Sequence, residues 1–153
     1  MRRTLPPLLV AALAALLLAG CTAQDPVDRA ALEQWKTDHD SAADDDLGVL
    51  AADVDPADPS PSSKDGITIT FPEPEDIDHL EFTCFGDGTM SGGLTIRSGS
   101  TSRNTQSAEP MSCVDGTQRF PLPRTWRKAV EEVTFDAYDA SKESTWQLRI
   151  VGG

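Results

Sequence analysis

Two histidines, three cysteines, one tyrosine and 13 Lys and Arg side chains are all that this chain of 153 residues offers for the common chemistry of active sites and polyanion binding. Set against 25 Asp and Glu, that shortage of cations leaves a net charge of −12. Nucleic-acid affinity comes from Lys and Arg neutralising phosphates, so no nucleic-acid partner is expected. A membrane-spanning helix needs about 20 apolar residues, and the longest apolar run, Leu8 to Gly20, has 13. There is no Gly-x-Ser-x-Gly elbow, phosphate-binding loop, dinucleotide fingerprint or metalloprotease motif. The triplet Asp44-Asp45-Asp46 lacks the alternating Asp/Asn pattern, central Gly and closing Glu of a calcium loop, and reads as solvated charge. Neither a metal nor a cofactor is expected.

The short apolar run has a different meaning. Arg2 and Arg3 precede it and polar sequence follows it at once, which is the outline of a secretion signal over residues 1–20. It ends Leu18-Ala19-Gly20-Cys21. That ending resembles the lipobox of bacterial lipoproteins, in which a diacylglyceryl group joins the cysteine sulfur and cleavage leaves that cysteine first. The resemblance covers about the first 21 residues. It implies that Cys21 carries acyl chains of the palmitate class and holds the protein on the extracytoplasmic face of the cell membrane. One acyl chain binds a membrane only marginally and two bind it firmly, so a diacylglyceryl anchor suffices.

Loss of residues 1–20 removes Arg2 and Arg3 and moves the net charge from −12 to −14. Residues 22–66 hold twelve acidic side chains against Arg29, Lys36 and Lys64, so the segment nearest the lipid is the most acidic and is repelled by anionic headgroups. Within it, Asp25 as N-cap, Pro26 at the first helical position and Asp28 in the first turn predict a short helix over 26–38. Its narrow stripe of Ala31, Leu32 and Trp35 rests either on the following domain, the preferred reading, or on the membrane. From Asp40 to Gly66 the chain is rich in Asp, Ala, Pro and Ser and reads as a semi-extended linker, stiffened by Pro56, Pro59 and Pro61. Residues 21–66 are therefore expected to form an acidic tether.

After Gly66 the pattern changes to period two. Ile67, Ile69 and Phe71 alternate with threonines, and the same holds around Leu80 to Cys84, Leu94 to Arg97, Val133 to Asp136 and Trp146 to Ile150, which predicts strands with one face inward. Gly86-Asp87-Gly88 fits a hairpin turn, Ser98 to Ser107 a polar loop, Glu109 to Val114 a strand, and Thr125 to Glu132 a helical turn. Residues 67–153 are thus expected to form a small antiparallel β-sandwich or barrel, of a size whose core is marginal. Outside the cytoplasm two cysteines in one such domain read as a disulfide, Cys84 to Cys113. A metal pair is the rival account, but soft metal sites need more ligands at short spacing. Phe82 to Thr89 (FTCFGDGT), a second cysteine and Trp146 to Gly152 (WQLRIVG) are also similar to small secreted domains of unknown function in actinobacterial lipoproteins. That likeness implies a β-fold and no activity.

Candidates for chemistry are few. His79, among Asp76, Asp78 and Glu81, is expected at a strand start facing solvent. Glu73, Glu75 and Asp76, with Glu131 and Glu132, are carboxylates whose pairing depends on geometry. Arg124, Trp126, Arg127 and Lys128 put three cations around a tryptophan, a combination able to hold an anionic or sugar-like ligand. The bland reading puts Trp126 in the core and balances its cations against Glu131 and Glu132. A face bearing Thr95, Arg97, Gln147 and Arg149 is the second candidate surface. The expected function is a binding or interaction module of the cell envelope, not an enzyme, whose partner is another envelope protein, a wall polymer or a small ligand. The alternatives are a wall-directed hydrolase and a structural lipoprotein without a ligand.

Overall fold

Alternation of apolar and polar side chains gives each strand one dry face, and burying those faces requires a second sheet. The computed structural model describes residues 27–57 and 66–153. Helix α1 (Arg29–His39) precedes nine strands: β1 (Asp46–Val54), β2 (Ile67–Glu75), β3 (Ile77–Cys84), β4 (Thr89–Ser98), β5 (Thr101–Gln106), β6 (Met111–Ser112), β7 (Gln118–Phe120), β8 (Val130–Tyr138) and β9 (Ser144–Gly152). They form two antiparallel sheets, one in the order β1-β9-β3-β7 and the other β2-β8-β4-β5, with β6 beside β4. The protein is mainly β, as the alternation predicted. Among the described residues no helix is long and apolar enough to cross a membrane.

Between the sheets, Leu80, Phe82, Trp146, Leu148 and Ile150 of the first meet Leu94, Ile96, Val133 and Phe135 of the second. Phe135 is the hub. Its ring centroid lies 5.0 Å from that of Trp146, 5.2 Å from Phe120 and 5.8 Å from Phe82, in edge-on and tilted arrangements that aromatic quadrupoles favour. Gly92 of β4 makes room for this cluster, because a Cβ there would stand 2.8 Å from the Phe135 ring and 2.9 Å from both Phe120 and Met111.

Cys84 ends β3 in the first sheet, and Cys113 follows β6 beside the second. They form a disulfide with Cα atoms 4.9 Å apart, and both are buried in the core. The bond therefore joins the two layers across a separation of 29 residues.

Several local expectations are corrected. The stretch from Asp40 to Gly66 contains strand β1, which pairs with β9 from Asp46 to Val54. Leu47-Gly48-Val49-Leu50-Ala51-Ala52 holds neither charge nor proline, and Leu50 and Val54 reach the core. Helix α1 starts later than expected, with Asp28 as its cap accepting the Ala30 and Ala31 N–H groups. Residues 1–26, including the signal segment, Cys21, Asp25 and Pro26, lie outside the described residues, as do Pro59 and Pro61.

The Ser98–Ser107 loop contains β5, reached through Gly99 at φ +57°. Arg103 and Thr105 occupy its inward phase opposite Ile96 and Leu94, so no apolar alternation marks it. Gly86, at φ +92°, helps carry the chain from β3 into the opposite sheet, so Gly86-Asp87-Gly88 closes no hairpin. Of the strand expected over Glu109–Val114 only Met111–Ser112 forms, and a 3₁₀ turn Cys113–Asp115 follows. The helical turn shrinks to a 3₁₀ turn, Arg124–Trp126, and β8 begins at Val130 after Ala129 adopts φ +50°.

Two stability measurements test this packing. Overpacking a filled core typically costs about 1–3 kcal/mol, so Gly92→Ala should lower the stability found by denaturant unfolding by an amount in that range. Opening the disulfide with Cys84→Ala and Cys113→Ala together should cost about 3.5 kcal/mol on the chain-entropy account of a 29-residue separation. An unchanged midpoint in either case would contradict the arrangement.

Candidate functional site

The outer face of the first sheet departs from simple alternation. Thr83, Thr145 and Gln147 sit at polar, outward positions and are nevertheless buried. Helix α1 covers them, although it buries only Leu32 completely. Its other ties are polar or aromatic. The Gln147 amide donates to the His39 carbonyl, Lys36 pairs with Asp53 at 2.9 Å, and Arg29 pairs with Glu143 at 2.6 Å. Trp35 stacks on His39, four residues on, with centroids 3.9 Å apart, and presents an edge to Phe85.

Because α1 does not lie flush on the sheet, a groove of about 520 Å³ remains between it and the outer side of β1 and β9. Trp35, Lys36 and His39 form one wall, Val49 and Ala51 the floor, and Asp53 the rim. A second hollow of about 430 Å³, lined by Glu81, Thr117 and Arg149, shares His39, Ala42 and Gln147 with it. This combined trough is the candidate site. The helical spacing of Trp35 and His39 was its only local signal.

A chain of charges runs across the same face. His79 Nδ1 lies 2.7 Å from Asp78 and its Nε2 lies 3.0 Å from Glu81. Arg149 then donates to Glu81 at 3.1 Å and, through two nitrogens at 3.0 and 2.9 Å, to Asp46. The Asp46 side chain is completely buried, which corrects its reading as solvated charge. His79, 13% exposed, faces carboxylates and not open solvent, so neither ring nitrogen is left for a nucleophile. The hydrogen bond from His79 holds the Asp78 carboxyl below the ordinary carboxylate range.

The tryptophan flanked by cations does not converge on one point. Trp126 is half-buried against the core. Arg127 donates from Nε and Nη2 to the Leu122 carbonyl at 3.0 and 2.9 Å, and from Nη1 to the Asp78 carbonyl at 2.5 Å, pinning the turn to β3. Lys128 pairs with Asp76 at 2.7 Å, and Arg124 is exposed. Glu131 and Glu132 are instead matched by Arg97, at 2.7 and 2.9 Å. Thr95 and Arg97 lie on β4 while Gln147 and Arg149 lie on β9, so the second candidate surface is split between two sheets. Among the described residues no group of three or more His, Cys, Asp or Glu is placed to hold a metal ion.

Arg149→Met should destabilise the fold by about 2–3 kcal/mol, because it leaves the buried Asp46 carboxylate without its charged partner and with the Ala43 N–H alone; unfolding at neutral pH measures this. A pH series tests the surface pairs. Hydrogen bonds from Lys128 and the Ala129 N–H hold Asp76 below its usual range. A depressed folded-state value gives stability that is present above the unfolded carboxylate value, about 3.9, and lost as pH falls through the folded one. The deficit of Lys128→Met should therefore be present at pH 7 and fade as the pH is lowered below the carboxylate range.

Comparison with protein-family models, with curated proteins and with solved structures finds no match for this chain.

Proposed function

We propose that this chain is a lipid-anchored protein of the extracytoplasmic membrane face whose β-domain works by binding a partner in the cell envelope. The observation that carries the reading is the Cys84–Cys113 bond. With those two sulfurs joined, Cys21 is the one cysteine of three left over. It stands where the apolar run ends on Leu18-Ala19-Gly20. A disulfide that staples a small core also fits an oxidising compartment.

Binding is supported over a purely structural role by the trough beneath α1, a concave surface with an apolar floor and polar rim. It is supported over wall hydrolysis by the engagement of His79 on both sides and of Asp76 with Lys128.

Membrane fractionation and metabolic labelling with an acyl-chain analogue test the anchor. The unaltered chain should be labelled and sediment with membranes, and Cys21→Ser should be unlabelled and released. Retention of the unlabelled variant on membranes would remove the anchor reading.

A further inference from the structure

Each sheet ends in two edge strands, and an unprotected edge is a template for another strand. Three of the four edges are guarded. β7 has only three residues, and β2 carries Pro72 and Pro74, which lack the N–H that a ladder requires. β5 is polar throughout and turns a charge, Arg103, into its inward phase. β1 has none of these devices beyond the register shift at its very start. From Gly48 to Val54 its register with β9 is regular, and among the described residues no second strand pairs with it.

Helix α1 lies over the outer face of the same sheet, against β9, and Val49 and Ala51 of β1 line the trough beneath it. A bare strand is the place at which extended peptides add as one more strand, and a partly apolar trough on the adjoining face can accept their side chains. Backbone pairing then supplies affinity, and the trough selects alternate side chains.

Charge identifies the occupant. Asp44 and Asp45 stand exposed before the apolar stretch of β1, and Asp53, which shares Lys36, and Asp55 stand exposed after it. Asp40 also lines the first of the two hollows, beside Lys36. A second copy of the chain would bring the same carboxylates to the same edge. A basic strand is complementary, since opposite charges across an interface favour encounter and set register. Asp45 and Asp53 are eight positions apart, about 26 Å along a strand at roughly 3.3 Å per residue. We infer that the β1 edge receives an extended peptide segment of a partner protein, apolar or threonine-rich in its middle and basic at both ends. This rests on the binding reading above and specifies the partner.

The test uses a nine-residue probe, Lys-Thr-Val-Thr-Val-Thr-Val-Thr-Lys, titrated into the full chain in detergent and followed by backbone amide signals and tryptophan fluorescence. Saturable binding should move the amides of Gly48 to Val54 and weaken with added salt. Replacing both probe lysines by glutamate should weaken binding at least tenfold. N-methylation of alternate probe nitrogens should abolish binding in one phase and spare it in the other, because a docked strand offers only one of its edges. Absence of saturable binding, equal loss in both phases, or shifts confined to β5 would overturn the assignment. Such a failure leaves membrane attachment through Cys21 standing. Probe binding by a chain that proves unacylated would instead remove the anchor and keep the edge.

Discussion

The covalent bond between Cys84 and Cys113 is the constraint around which the domain is arranged, because it is made between layers and not within one. Cys84 closes the last inward position of β3, and Cys113 is held where its N–H donates to the Gly88 carbonyl at 2.9 Å. The crossing from β3 to β4 is thereby fixed at both its start and its return. With the layers tied at that end, Phe135 can sit between Phe82, Phe120 and Trp146 without a large surrounding core. A domain of this size buries a modest fraction of its surface, so a bond that restricts the unfolded chain has a large relative effect.

The inward faces were legible in the sequence because hydrophobic alternation has one physical cause, a dry side and a wet side. Leu94 to Arg97 and Val133 to Asp136 obey it fully; Ile67, at the start of β2, is exposed, and Thr83 and Gln147 are buried on the outer side although Leu80, Phe82, Trp146, Leu148 and Ile150 face inward. The disulfide was legible for another reason, since the expected compartment and the cysteine count leave few options. What escaped were edges. β1 sits between acidic stretches that look like a solvated linker, and only its long-range pairing with β9 makes it a strand. β5 has no apolar inward residue, so its strand state depends on β4. Sheet assignment also escaped, because a glycine turn looks the same whether the next strand lies alongside or opposite.

The candidate site was the least legible part. Its members come from α1, β1, β3, β9 and the turn at Thr117, more than a hundred positions apart in the chain for His39 and Gln147. Trp126 and its cations drew attention by composition, yet Arg127 is spent on carbonyls and Lys128 on Asp76. Buried Thr83, Thr145 and Gln147 carry the more informative anomaly, since polar side chains on an outer face are buried only when something covers them.

That cover has a mechanical consequence. Helix α1 is the first described element and is fastened by one buried leucine, a side-chain amide and rim ion pairs, whereas the sandwich behind it is cross-linked by sulfur. Tension entering from the amino-terminal side meets the weak fastening first and would peel the helix like a strip of tape, while the sheets keep their shape. Lifting the helix would uncover the polar row on β3 and β9.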